Sequence, residues 1–144
     1  MRERQVSRSR VLKAAPERVF DVLADPAAHA LIDGSGTVRG TKAPSGTRLS
    51  LGARFGMSMK LGVPYGINNE VVEFEEGRLI AWRHFGGHRW RWQLEPVEGG
   101  TLVTETFDWS TAKSPVALEV MRAPARNARS IEATLERLEA HLDS

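Results

Sequence analysis

The sequence predicts one α+β domain built from a strand, two short helices, a run of antiparallel strands and a long C-terminal helix. Three observations predict it. Apolar and polar residues alternate from residue 48 to 61, glycine-containing turns divide the region up to about residue 110, and apolar residues recur every three or four positions near the C-terminus. A chain of 144 residues with 41% hydrophobic content suffices for one domain over residues 1–144.

The N-terminal part begins extended and then becomes helical. Residues 5–13 are predicted to form a strand, and "AAPERVFDVLAD" then has its apolar residues at helical spacing. Pro16 suits the first helical turn, where its missing N–H needs no partner. After Pro26, "PAAHALI" predicts a second short helix bent against the first. The stretch "GSGTVRG" at 34–40 lacks the spacing of a dinucleotide loop, so it is predicted to be a loop before a strand.

A long half-buried strand is predicted next, because apolar residues occupy every second position. These apolar positions are Leu49, Leu51, Ala53, Phe55, Met57, Met59 and Leu61. Three further strands are predicted after it, separated by hairpin turns at "FEEGR", "HFGGHR" and "PVEGGT".

The last part of the chain predicts a helix over residues 114–142, which Pro124 kinks or divides. Its apolar positions step by three and four residues, whereas most of the charged residues fall on the other face. The apolar positions are Ala128, Ile131, Leu135, Leu138 and Leu142.

The turns also predict a strand register. Two-residue loops at 76–77 and 86–87 place Glu70 opposite Arg83 and Ala81 opposite Trp92, and a four-residue turn at "VEGG" places Trp92 opposite Glu105. One face then carries Val72, Phe74, Leu79, Ala81, Trp90, Trp92, Leu94, Val103 and Phe107. The other face carries Glu73, Trp82, His84, Arg89, Arg91 and Gln93. The arginines and tryptophans of "RWRW" therefore point to opposite sides of the sheet.

Three charged residues, Glu70, Arg83 and Glu105, fall on the otherwise apolar face of this register. Charges on a packed face cost several kcal/mol unless they are paired or hydrated. One interpretation is a hydrated cavity that offers a ligand a few polar anchors. The other is a structural pair of Glu70 with Arg83 at a sheet margin, or a different register.

Composition narrows the classes of function. The formal charge is +2, from 20 basic and 18 acidic residues, so bulk electrostatics does not favour a nucleic-acid partner. Arg89 and Arg91 beside Trp82 are predicted to lie on a solvated face. No apolar run approaches the ~20 residues of a membrane span, and the N-terminus lacks the apolar core of a signal peptide, so a cytoplasmic location is expected. The chain has no cysteine, and His84 and His88 lack a carboxylate motif nearby, so neither a metal nor a cofactor is expected.

The chain resembles the START-like superfamily, which includes the pollen-allergen fold, lipid-transfer domains and polyketide cyclase/dehydrase-like proteins. The resemblance is carried by "APERVFDVLADPAAHALIDGSG", "EVVEFEEGRLIAWRHFGG", "WRWQLEPVEGGTLVTETFD" and the amphipathic C-terminal helix. It implies a helix-grip fold, in which a curved antiparallel sheet wraps around the C-terminal helix. It also implies a cavity between sheet and helix that holds an apolar ligand.

This resemblance implies binding of a small to medium hydrophobic or amphipathic molecule by a monomer or a homodimer. The predicted ligand-binding residues are Phe55, Met57, Met59, Glu70, Arg83, Trp90, Trp92, Glu105, Phe107 and Met121. Two alternatives stay open. One is a cyclase- or dehydratase-like enzyme, for which Glu70, Glu105, His29 and also His84 are the candidates for proton transfer. The other is an interaction module that uses the convex face around Ile80 and Trp82.

Overall fold

The computed structural model describes residues 4–34, 38–41, 47–61 and 63–143; the side chains of 38, 39, 41, 57–61 and 63–67 are not part of that description. The strands are β1 (Gln5–Leu12), β2 (Val38–Thr41), β3 (Arg54–Leu61), β4 (Val63–Glu75), β5 (Leu79–His84), β6 (Arg89–Val97) and β7 (Gly100–Asp108). The helices are α1 (Pro16–Leu23), α2 (His29–Ile32), α3 (Pro115–Val120) and α4 (Ala123–Asp143), with a 3-10 turn at Pro26–Ala28 before α2.

The strands form one antiparallel sheet in the order β1-β7-β6-β5-β4-β3-β2, and α4 packs across its concave face. The five apolar residues of α4 predicted to be buried are all buried. Ile131, Leu135, Leu138 and Leu142 join α1 and the inward side chains of the sheet in one core. The helix-grip architecture is therefore confirmed.

The C-terminal helical region is divided between α3 and α4. Arg122 has a positive φ of 60°, which interrupts the helix, and Pro124 then lies in the first turn of α4. A proline is tolerated there because the first turn needs no N–H from it.

The first long strand is shorter than its alternation predicts. Leu51 is exposed, and Gly52 has a φ of 83° in a turn that precedes β3. The Gly52 N–H donates to the Val71 carbonyl at 2.9 Å, which ties this turn to β4. The structure also shows a strand, β2, inside the stretch predicted to be a loop, and four strands rather than three after β3.

The two hairpins that border β5 have three-residue loops, not two-residue loops. Glu75 pairs with Leu79, and the His84 N–H donates to the His88 carbonyl at 2.9 Å. Each additional loop residue shifts the register by one residue, so the side chains of β5 lie on the opposite faces from those predicted. Ile80, Trp82 and His84 therefore share the concave side with Trp90 and Trp92, whereas Leu79, Ala81 and Arg83 point outward.

Strand β4 contains a β-bulge between Val71 and Glu73, which shifts its register against β5 by one residue. From Val71 back towards Asn69, the pairing of β4 with β5 is therefore the predicted one. Glu70 is opposite Arg83, as predicted, but both lie on the outer face. The bulge also makes Val71, and not Val72, the fully buried valine of β4. The β6–β7 register is as predicted, with Trp92 opposite Glu105 and Trp90 opposite Phe107.

Candidate functional site

Two adjacent rows of residues cross the end of the sheet formed by β3, β4 and β5. In the inner row, Asn69 is opposite Phe55 on one side and His84 on the other. In the outer row, Glu70 is opposite Arg54 and Arg83. Successive residues of a strand point to opposite faces, so an uncharged inner row and a charged outer row meet at this end.

A pocket of about 660 Å³ opens at this end of the sheet. Both rows line it. The 85–87 hairpin loop contributes Phe85 and Gly87, and the segment after β7 contributes Thr111 and Lys113. Its volume lies within the range of about 300–1,000 Å³ that is typical of small-molecule sites.

The hairpin wall of the pocket is fastened to the segment after β7. The Thr111 hydroxyl donates to the Gly87 carbonyl at 2.6 Å, and the Lys113 N–H donates to the Gly86 carbonyl at 2.8 Å. Gly87 has a φ of 94°, and a Cβ there would lie 2.5 Å from the Thr111 carbonyl oxygen. Only glycine fits this close approach.

The inner row offers the pocket two N–H donors. Asn69 is 4% exposed, and its Nδ2 has no hydrogen-bond partner among the described residues. Burial lowers the pKa of the His84 imidazole, and its Nδ1 accepts from the Gly86 N–H at 3.1 Å. A neutral imidazole that accepts at Nδ1 carries its proton on Nε2, so His84 is a donor there.

An aromatic layer lies behind the inner row. The Phe55 ring contacts the rings of His29 and Trp82 edge-on, with centroid distances of 5.7 and 5.6 Å. His29 stacks on Trp82 at 4.8 Å, and its Nε2 donates to the Leu23 carbonyl at 2.9 Å. Burial lowers the pKa of His29, so the ring is neutral and Nδ1 keeps a lone pair that no described residue engages.

A buried carboxyl group lies on the same concave side. Glu105 is opposite Trp92 on β6, and Glu105 Oε1 and Trp92 Nε1 have no hydrogen-bond partner among the described residues. Burial raises the pKa of Glu105 well above its usual value, and the charge of Asp33 adds to the shift. Burial therefore favours the neutral form of both the Glu105 carboxyl group and the His29 imidazole.

The structure places the predicted ligand-binding residues in several locations. Phe55, Trp90, Trp92, Glu105 and Phe107 lie on the concave side. Met121 lies at the break between α3 and α4 and is 61% exposed. A side chain with this exposure does not line the interior. The side chains of Met57 and Met59 lie outside the described residues.

The prediction that Glu70 and Arg83 lie on the apolar concave face is wrong. The register change on β5 moves Arg83 outward, and Glu70 interacts with Arg83 and Arg54 at 3.7 Å each in an exposed setting. Ile80 and Trp82 are buried on the concave side, so they do not form the convex patch that an interaction module would use. Glu70 and Arg83 nevertheless line the pocket, from its outer side.

Asn69 was not recognised from the sequence as a site residue, and His84 was named only as a candidate for proton transfer. Asn69 lies in the polar run "INNE", which has no alternation to reveal its buried face. His84 was placed on the outer face because the "GG" turn was taken as the whole loop. The three-residue loop at 85–87 turns His84 to the concave side, where it lies opposite Asn69.

The outer side of β6 carries an ion-pair network. Glu73 binds Arg91 through two bonds of 2.9 and 2.8 Å and Arg89 through one of 2.9 Å. Arg91 also donates to Asp108 at 3.2 Å. These arginines are engaged within the sheet surface, and the buried Trp82 does not lie beside them.

Within residues 4–34, 38–41, 47–61 and 63–143, no cluster of three or more His, Cys, Asp or Glu side chains has a metal-binding arrangement. In the same ranges, no helix is both long enough and apolar enough to cross a bilayer.

Comparison with known proteins gives a family match over nearly the whole chain. A family model described as "Polyketide cyclase / dehydrase and lipid transport" matches residues 3–143. The chain is 43% identical over 141 residues to uncharacterized protein Rv0088 of Mycobacterium tuberculosis (strain ATCC 25618 / H37Rv). That alignment covers 93% of this chain and 62% of the relative, so the chain spans less than two thirds of the relative's length.

Solved structures with low sequence identity share the fold. Protein MLL2253 from Mesorhizobium loti has a TM-score of 0.74 and 17% identity, with 97% of each chain covered. The AHSA1-like protein from Aeromonas hydrophila has a TM-score of 0.67 and 18% identity, over 96% of this chain and 92% of that one. At such identities the likeness shows the fold alone.

Proposed function

The chain belongs to the family of polyketide cyclase / dehydrase and lipid transport proteins, and from this premise we propose that it binds a small to medium apolar molecule that carries a carbonyl oxygen. The pocket at the end of β3, β4 and β5 is the proposed site. One observation carries the proposal: Asn69 lines this pocket, is 4% exposed, and has an Nδ2 that no described residue engages.

The Asn69 amide group gives the site a free-energy gain on ligand binding. A buried donor without a partner costs about 1–3 kcal/mol, so a bound acceptor oxygen would recover part of that free energy. His84 supplies a second N–H donor from the neighbouring strand. Two adjacent donors favour a carbonyl oxygen, because its two lone pairs can accept both hydrogen bonds.

The hydrocarbon part of the ligand would contact aromatic side chains. Phe55 and Phe85 line the pocket, and the Phe55 ring contacts Trp82 behind it. Aromatic walls with a few placed polar groups are typical of small-molecule sites. A ligand that enters more deeply would displace rings of this layer and approach Trp92 and Glu105.

A matched pair of probes tests the proposal. Binding of 2-acetylnaphthalene and of its carbonyl-free analogue 2-ethylnaphthalene would be measured by tryptophan fluorescence. We expect both to bind saturably and the ketone to bind about fivefold tighter, as one net hydrogen bond of about 1 kcal/mol gives. Asn69→Leu should reduce that difference, because only the His84 donor is left, whereas Gln93→Leu on the exposed outer face should keep it. Absence of saturable binding of either probe to the folded protein would refute the proposal.

The cyclase- or dehydratase-like activity remains a second candidate, because His29 and Glu105 offer a neutral base and a neutral acid on one side of the sheet. Such a reaction needs a base to take a proton from carbon and an acid to protonate the departing oxygen. Native mass spectrometry of protein purified from its own host would identify a copurified ligand. Conversion of that ligand with loss of one water, abolished in Glu105→Gln but with binding retained, would support the enzyme.

A further inference from the structure

We propose that the ligand of this pocket is an acid, whose carboxylate is held by the outer row through Arg54 and Arg83, with Lys113 across the opening. The inference rests on the proposed function of the pocket and names the class of ligand more closely. The inference gives a role to the charged outer side of the pocket, which takes no part in the proposed hydrogen bonds to the carbonyl oxygen.

The charge of the pocket lining is strongly one-sided. Four cationic side chains line it, Arg54, Arg83, Arg89 and Lys113, against the single carboxylate of Glu70. The chain as a whole has 20 basic and 18 acidic residues, so this excess is local. Arg89 donates to Glu73 at 2.9 Å on the outer face. The other three cations therefore determine the positive charge at the opening of the pocket.

The contacts of Glu70 are long. It lies 3.7 Å from Arg54 and 3.7 Å from Arg83, whereas Arg91 and Glu73 meet at 2.8 Å in the neighbouring network. The Arg54 side chain is 81% exposed and that of Arg83 is 48% exposed. A guanidinium has five N–H donors, so Glu70 at this distance leaves both groups with capacity for a second anion.

The two rows also fix the shape of the ligand. Arg83 and His84 are successive residues of β5, and Glu70 and Asn69 are successive residues of β4. Successive positions along a strand are about 3.3 Å apart in the backbone, but their side chains point to opposite faces. The ligand therefore places its apolar body on the side of the inner row and its carboxylate on the side of the outer row, as an amphipathic carboxylic acid does.

The test compares 2-naphthoate with 2-acetylnaphthalene, which has the same rings and no charge. At low salt we expect the carboxylate to bind roughly tenfold tighter, because charge-assisted hydrogen bonds are about twice as strong as neutral ones. The advantage should shrink as salt increases, since the outer row is exposed. The double variant Arg54→Gln/Arg83→Gln should lose the advantage and still bind the ketone. Arg78→Gln, an exposed arginine outside this pocket, should behave as the wild type.

The outcomes separate this inference from the proposed function. If the ketone binds and the carboxylate binds no tighter, the inference is overturned and the proposed function stands. If neither probe binds, both fall. A carboxylate advantage that persists in the double variant would place the acid elsewhere and overturn the inference. Cosedimentation with phosphatidylserine vesicles that needs the two arginines, without saturable naphthoate binding, would assign the outer row to a membrane surface and also overturn it.

Discussion

Glu105 of β7 lies directly opposite Trp92 of β6, and each contributes to the interior a polar atom that has no hydrogen-bond partner among the described residues. The Glu105 side chain is held in its neutral form, because burial raises the pKa of the carboxyl group well above its usual value. Two neutral polar groups thus face a layer of apolar and aromatic side chains under α4. This arrangement has a measurable consequence for stability.

Replacement of Glu105 by Gln should flatten the pH dependence of the unfolding free energy. Below its unfolded pKa, near the usual value of 4.5, Glu105 is protonated in both states. Above that value the unfolded chain loses the proton and the folded protein keeps it, so stability falls as pH rises, by at most about 1.4 kcal/mol per pH unit. Urea titrations from pH 5 to pH 8, on both proteins, measure this slope. Equal slopes would show that Glu105 is not held protonated.

His88 should titrate far below an ordinary histidine. Burial, with the neighbouring charge of His84 as the second cause, lowers the pKa of His88 to about 4. Its ring stacks on His84 at a centroid distance of 4.4 Å. NMR titration of the imidazole protons should give this midpoint, and His84→Asn should raise it only in part, because burial remains. A midpoint near 6.5 in the wild type would contradict the burial of this ring.

The lowered pKa of His88 also predicts that the free energy of unfolding falls in acid. Below the unfolded value of 6.5, the unfolded chain binds a proton that the folded protein rejects down to about pH 4. Stability should therefore fall as pH drops through this window. His88→Phe, which keeps a ring against Phe107, should reduce that loss. An unchanged loss in the variant would assign the acid sensitivity to other groups.

Arg91→Met should destabilise the protein far more than a matched substitution on the surface. Arg91 is 15% exposed and binds both Glu73 and Asp108, so its loss removes the cation beside Asp108 and leaves Glu73 with Arg89 alone. We expect a loss of about 2–3 kcal/mol, below the range for fully buried pairs. Arg8→Met, which breaks an exposed pair with Glu132, should cost less than about 1 kcal/mol. Similar losses in both variants, measured by urea unfolding, would argue against the network.

Gly87→Ala should weaken the pocket wall. The substitution forces a side chain into a φ of 94° and places Cβ 2.5 Å from the Thr111 carbonyl, so the hairpin and the 111–113 segment must separate. We expect a lower melting temperature and weaker binding of 2-acetylnaphthalene. Gly40→Ala is the control, because a Cβ at Gly40 meets no atom within 4 Å. Unchanged ketone affinity in Gly87→Ala would show that this wall does not shape the site.

Much of the fold could be predicted because its elements have strong periodicity. The three-and-four spacing of Ile131, Leu135 and Leu138 identified the buried face of α4. The "VEGG" turn gave the correct β6–β7 register, and with it the inward positions of Trp92 and Glu105. Each of these predictions depended on a local sequence pattern, either regularly spaced apolar residues or a turn sequence.

The site was harder to predict because one additional residue in a hairpin loop moves every side chain of the next strand to the other face of the sheet. Taking "GG" as a complete turn placed His84 outside and Arg83 inside, the reverse of the structure. The bulge beside Val71 kept Glu70 opposite Arg83, so that pairing was correct although its face was not. No sequence pattern signalled the bulge. Asn69 could not be recognised, because a buried amide has no periodic signature.

The central claim is that a carbonyl-bearing apolar ligand binds beside Asn69, and the side-chain amide resonances of that residue test it most directly. They would be assigned by their loss in Asn69→Leu and followed in proton–nitrogen spectra during titration with 2-acetylnaphthalene. The account predicts a saturable shift of the Asn69 amide, larger than that produced by 2-ethylnaphthalene, while the side-chain amide of Gln93, which is exposed and outside the pocket, shifts less. An Asn69 amide that does not move at ketone concentrations that saturate the tryptophan signal would contradict the claim.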